Sequence, residues 1–206
     1  MSGLAILERN AILDLNRAQF DHVCAELMAI VSRDRRPDGL IGIPTGGMVV
    51  AQSMARAAGR DMPVLALTCR RPSSKMKPGA SAVRKIVGGL PRPIVDRLRF
   101  AEHALLTRRR PSPPSAPYRF NEQELDGIDR WIESVRQPLS LLIVDDAVDS
   151  GATLYQVMDA VRRRTPEDTE VRSAVITVTT DQPLVQPDYS MFHRQLCRFP
   201  WSLDAR

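Results

Sequence analysis

The sequence predicts an α/β fold, a central and mostly parallel sheet flanked by helices. Three observations point to it. The run Leu141-Leu142-Ile143-Val144 is uniformly apolar, then meets Asp145 and Asp146, and the spacing of Thr153, Leu154, Val157, Met158 and Val161 is helical. The segment Gly39-Leu40-Ile41-Gly42-Ile43-Pro44 repeats the pattern about a hundred residues earlier, with a Thr45-Gly46-Gly47-Met48 turn and a small-residue helix over 49–58. Val171 to Val178 supplies a further apolar strand after the second helix.

The elements follow in order. Residues 5–15 read as extended. Asn16 caps a helix running to about Ser32, with Phe20, Val23, Leu27, Ile30 and Val31 on one face. Gly59 is placed to end the helix that follows the Gly-Gly turn. Pro63 to Thr68 is the next strand. Asn121 starts a helix with Glu124 at the capping-box position, and Leu125, Ile128, Ile132 and Val135 share its face. Leu139 to Val144 is the strand before the paired acids. No internal repeat divides the chain, so its 206 residues read as one domain.

The turn after Val144 lies where open α/β sheets bind ligands, at the carboxyl end of a strand and the amino end of a helix. Ser150 and Thr153 offer hydroxyls, and Gly151 admits a close backbone approach to an anion. Two carboxylates beside an anion site would repel it unless they accept bonds from sugar hydroxyls or hold the waters of a magnesium ion. A Walker A loop is excluded, because no glycine-rich turn ends in Lys-Ser/Thr here.

Asp145 to Leu154 resembles the signature of the type I phosphoribosyltransferases. The resemblance implies that fold, with a small hood subdomain built from the termini (1–15 and 180–206). It implies phosphoribosyl pyrophosphate as donor with Mg2+ as cofactor. Asp145 and Asp146 would then meet the ribose hydroxyls, directly or through the metal. Asp149, Ser150, Gly151, Ala152 and Thr153 would cradle the 5-phosphate. Asp149 takes the position of a general base near the incoming base. Thr45, Gly46 and Gly47 match the loop that binds pyrophosphate, with a departure at Thr45, where many members carry a charged residue, often Arg. Arg70 and Arg71, just after the Pro63 strand, could reach the pyrophosphate. The tail Arg198-Phe199-Pro200-Trp201 is similar to that of the purine-type members, with Ser202 where those often have Glu. Trp201 is therefore a candidate for stacking on a flat heterocycle, against the plainer reading of an aromatic residue used for packing. The implied reaction transfers the 5-phosphoribosyl group to a nitrogen of a heterocyclic, purine-like base and releases pyrophosphate.

From Arg70 to Arg110, twelve basic residues face two acidic ones, Asp96 and Glu102, so this stretch carries +10 while the whole chain carries +5. The rest of the chain is therefore at −5. Residues 70–119 form a basic insertion, for which three readings compete. It could be a lid whose cations meet the donor's phosphates, a surface for a partner subunit, or a site for nucleic acid, the least favoured of the three. Ser73 to Gly79 is loop-like. Ile94, Val95, Leu98, Ala101, Leu105 and Leu106 suit an amphipathic helix, and the proline-rich 111–117 a stiff connector.

Composition narrows the class. A 43% hydrophobic content supports one substantial core. No apolar run reaches membrane-spanning length and the start lacks a signal-peptide pattern. Cys24, Cys69 and Cys197 are dispersed and form no Cys-x-x-Cys pair, which predicts a reducing, cytoplasmic setting. His22, His103 and His193 are scattered and suggest no metal cluster. A homodimer is expected from the resemblance. Two other functions remain open: a regulator of the same fold that binds nucleotides or RNA, and a specialised phosphoribosyltransferase outside nucleotide salvage.

Overall fold

The computed structural model describes residues 12–59, 61–70, 118–135 and 139–202. The elements are β1 (Leu13–Asp14), α1 (Arg17–Asp34), β2 (Gly39–Gly42), α2 (Gly46–Ala57), β3 (Val64–Ala66), β4 (Cys69–Arg70) and β5 (Arg119–Phe120). They continue with α3 (Glu122–Ser134), β6 (Ser140–Val148), α4 (Ala152–Arg162), β7 (Glu170–Val178), β8 (Tyr189–His193) and β9 (Cys197–Arg198). The main sheet has the order β3-β2-β6-β7-β8, and every pairing in it is parallel. Parallel neighbours need crossover connections, and the helices that supply them cover both faces.

The alternating pleat sends successive strand residues to opposite sides. Leu40, Leu142, Val144, Ala174 and Ile176 pack with α1 and α2 on one face. Ile41, Ile43, Leu141, Ile143, Val175 and Val178 pack with α3 and α4 on the other. This is why β2, β6 and β7 read as unbroken apolar runs. Each fully buried Leu or Ile contributes about 1.5–3 kcal/mol over its exposed state.

Asn16 caps α1 as its sequence position predicts. Its side chain accepts the Gln19 amide, and the Gln19 side chain returns the bond to the Asn16 amide. The helix runs two residues past Ser32, and Ile30 lies off the buried face at 38% exposure. Asn121 caps α3, but it bonds the Gln123 amide. Glu124 closes no capping box; its carboxylate accepts the amide and the hydroxyl of Thr68, at 2.5 and 3.0 Å. A tertiary partner outcompetes the local one, and it ties α3 to the end of the Pro63 strand.

Two boundaries differ from the sequence expectation. Strand β6 does not stop at Val144 but continues through both acids to Val148, because β7 is equally long and pairs with it throughout. The tail is not wholly a hood. Strand β8 joins the main sheet beside β7, with Tyr189, Met191 and Phe192 packed against the α1–α2 core. Among the described residues, the β1–β9 pair and the turn that follows it lie outside the main sheet.

The Cys69–Arg70 and Arg119–Phe120 strands pair antiparallel, so both ends of the basic insertion meet in one ribbon. Residues 1–11 and 71–117 lie outside the described residues, and with them Arg71, the 94–106 helix expectation and the 111–117 connector. Among the described residues no helix is long and apolar enough to cross a membrane.

Candidate functional site

The crossover from β2 through α2 leads to β3 on one side of the sheet. The crossover from β6 through α4 leads to β7 on the other. The connections therefore diverge between the adjacent strands β2 and β6. This is a topological switch point, which opens a crevice at the carboxyl ends of the strands. The two loops singled out from the sequence, 45–47 and 149–153, border that crevice.

They also touch. A Cβ added at Gly46 would lie 2.1 Å from Oδ2 of Asp146, and one at Gly47 would lie 2.4 Å from the Val144 carbonyl oxygen and 2.8 Å from the Asp145 Cα. Only glycine allows this approach. The Gly-Gly pair therefore packs directly on the acidic pair. Helix α2 begins at Gly46, earlier than expected, so both glycines sit in its first turn. Thr45 is exposed at the N-cap, with no side-chain capping bond, and the Pro44–Thr45 peptide is cis.

Asp145 and Asp146 lie side by side near the end of β6. The Asp146 amide donates to Asp145 Oδ1 at 2.9 Å, and the Ala147 amide to Asp146 Oδ1 at 3.1 Å. These bonds hold both carboxyl groups at fixed angles. Burial pushes both carboxyls up, and Asp145, which the charge of Asp146 also disfavours, lies well above the usual carboxylate range. Such a pair is stabilised by cations or hydroxyl donors. Among the described residues no cluster of three or more metal-binding side chains forms. Two adjacent carboxylates are ligands of the type a magnesium ion takes when it keeps water and substrate oxygens in the rest of its shell.

Asp149 is exposed at the head of the next turn, and its Oδ1 accepts the Thr179 hydroxyl at 2.5 Å. Ser150 Oγ accepts the Ala152 amide at 3.4 Å. Gly151 has φ +73° and precedes α4 with no capping side-chain bond. Thr153 is half-buried in the first turn. At the amino ends of α2 and α4, beside the acids, the N-cap residues Thr45 and Gly151 make no side-chain capping bond, and Ser150 meets only the first amide of α4, at a long 3.4 Å. Free amides and the helix dipole favour anions there.

Arg70 and Trp201 stand apart from this assembly. Arg70 is exposed on the β4–β5 ribbon, and among the described residues it makes no hydrogen bond or ion pair with the two loops. Trp201 stacks on Phe199 at 4.9 Å with planes 2° apart, and meets Phe20 edge-on at 5.0 Å. It is an element of the hood's packing, with 36% of its surface exposed.

Some of the surroundings escaped sequence reasoning. The backbone at Pro183 to Val185 covers Gly151, and the Leu184 amide donates to the Ser150 carbonyl at 2.8 Å. Thr177 bonds Cys197 of the hood, whose thiol feels Asp146 and is pushed up to about 12 by burial. Thr179 also went unnoticed, although a hydroxyl at the end of an apolar strand is a signal that could have marked it.

Residues 121–203 match the family model of the phosphoribosyl transferase domain. No curated protein matches the sequence. Among solved structures, a purine phosphoribosyltransferase from Pyrococcus horikoshii Ot3 aligns over 92% of this chain and 93% of its own, at 20% identity and TM-score 0.55. A xanthine-guanine-hypoxanthine phosphoribosyltransferase from Helicobacter pylori aligns over 94% and 96%, at 15% identity and TM-score 0.60. A Neisseria gonorrhoeae protein with bound ppGpp aligns over 93% and 90%, at 14% identity and TM-score 0.54. The chain has the type I phosphoribosyltransferase fold.

Proposed function

We infer that this chain is a phosphoribosyltransferase and moves the 5-phosphoribosyl group from phosphoribosyl pyrophosphate to a ring nitrogen of a purine-like base, a reading that the matched domain and the fold support. One observation supports the reading above all others. Two helix amino ends whose N-cap residues make no side-chain bond flank a half-buried carboxylate pair at the switch point of the sheet. A ligand with an anionic group at each end and hydroxyls between them complements that layout.

In this reading the α4 end, with Ser150, Gly151, Ala152 and Thr153, holds the 5-phosphate. Thr45, Gly46 and Gly47 at the α2 end hold the pyrophosphate. Asp145 and Asp146 accept the ribose hydroxyls between them. Magnesium bound there would offset charge on the acids and the pyrophosphate. As the bond from C1 to pyrophosphate loosens, the acceptor nitrogen approaches the opposite face of the sugar. Asp149 takes its proton, as a positioned carboxylate can. Orientation of the two substrates and charge stabilisation of the leaving group supply most of the rate. Trp201, the exposed member of its aromatic cluster, offers a flat face to the acceptor base. Arg70 and Arg71, by their place in the sequence just after the Pro63 strand, are proposed as cations for the pyrophosphate. A homodimer in the cytoplasm completes the proposal.

Titration calorimetry of phosphoribosyl pyrophosphate with and without magnesium tests the binding half. Micromolar, magnesium-dependent binding that is lost in Asp145→Ala supports it; no binding overturns it. The Neisseria gonorrhoeae neighbour favours a second reading, in which the crevice is a regulatory site for ppGpp. Under that reading ppGpp binds tightly and no base stimulates pyrophosphate release.

A further inference from the structure

We propose that Thr179 is the positioning residue for Asp149, so that one carboxylate oxygen is anchored to the sheet and the other is left for the acceptor's proton. This rests on the phosphoribosyl transfer reading above. Thr179 is the first residue beyond β7, and its amide donates to the Val148 carbonyl at 2.9 Å, which extends the β6–β7 ladder by one rung. Its backbone is thereby fixed to β6, and its side chain sits where the residue is only 6% exposed. The hydroxyl has one proton and two acceptors in reach. Asp149 Oδ1 is at 2.5 Å and the Val148 carbonyl at 3.4 Å, so the proton goes to the carboxylate.

Asp149 needs such an anchor. It is exposed on the turn between β6 and α4, and among the described residues no basic side chain forms an ion pair with it. A side chain free to rotate would visit the productive geometry only part of the time. A donor on a rigid strand holds it there. With Oδ1 occupied, Oδ2 faces the acceptor. The ring N–H proton passes to Oδ2 as the new C–N bond forms, while the C1–O bond breaks and its electron pair leaves with pyrophosphate.

The test is steady-state turnover of full-length variants with phosphoribosyl pyrophosphate, magnesium and the best acceptor. Thr179→Val removes the hydroxyl and keeps the shape. It is expected to lower kcat about 10- to 100-fold with KM for the donor within about twofold. Thr179→Ser restores the hydroxyl and is expected within about threefold of wild type. In the Asp149→Asn background, Thr179→Val should add no further loss, because the two residues act as a unit. If Thr179→Val does not fold, Thr179→Ala takes its place in both comparisons. Unchanged kcat in the valine variant, failure of serine to rescue, or losses that multiply in the double variant would each overturn the inference alone. A wild-type chain that turns over no acceptor overturns the transfer reading, and the inference with it.

Discussion

Asp145 and Asp146 are enclosed together, and each keeps its backbone bond whether ionised or not. Asparagine at either place retains an acceptor oxygen while removing a charge. Asp146→Asn should therefore raise the melting temperature of the ligand-free protein by about 2–8 °C, on the order of 1–2 kcal/mol. The same change should weaken magnesium-dependent donor binding at least tenfold. Differential scanning fluorimetry with and without the donor reads both effects, and a destabilised ligand-free variant would contradict the account. Cys24 carries a second prediction. It is fully buried, and its thiol is pushed from 9.0 to about 12, chiefly by loss of solvent. The unfolded chain releases that proton first, so the contribution is complete below pH 9 and is lost as the pH rises towards 12. In urea titrations this thiol's share of the fall in stability should be about 1.4 kcal/mol per pH unit across that window. A Cys24→Ala variant should remove that share and leave the one due to Cys197, which is pushed up to about 12 as well. At this scale the sequence was legible for Asp145, Asp146 and Gly151, whose chemistry sits in one contiguous run. It was not legible for Thr179, whose meaning depends on a carboxylate thirty residues earlier in the chain.

Helices α2 and α3 show how elements are set by contacts from outside themselves. Gly47, in the first turn of α2, lies against the Val144 carbonyl, so Gly47→Ala must displace backbone on β6. A loss of about 1–3 kcal/mol follows, with pyrophosphate-end affinity falling alongside; denaturant melts and calorimetry measure the two together. Glu124 joins α3 to Thr68 through two bonds to one carboxylate. Glu124→Ala should cost about 1.5–3 kcal/mol in urea unfolding, more than the loss of an exposed helix charge. The apolar strands and the Asn16 cap could be read directly because their signals are local. Strand β8 could not, because only its pairing with β7 and its packing on α1 distinguish it from a terminal loop. Glu124 was assigned to the wrong partner for the same reason: spacing sees the capping box and not Thr68.

Across the whole molecule, the divergence of crossovers between β2 and β6 gathers residues 45–47 and 145–153 from segments a hundred residues apart. The sequence showed two strand–turn–helix units. Their adjacency is a property of strand order, which periodicity does not encode. Trp201 packs on Phe199 and Phe20, contacts that its position in the tail did not disclose.

The central claim is that the crevice performs transfer and does more than bind. Its most direct test is pyrophosphate release from phosphoribosyl pyrophosphate and magnesium across a panel of purines, pyrimidines and related heterocycles, with Asp149→Asn run beside the wild type. The account predicts release that depends on one purine-like base and falls at least 100-fold in the variant. Release that is indifferent to the base, or absent from every member of the panel while ppGpp binds, would contradict it.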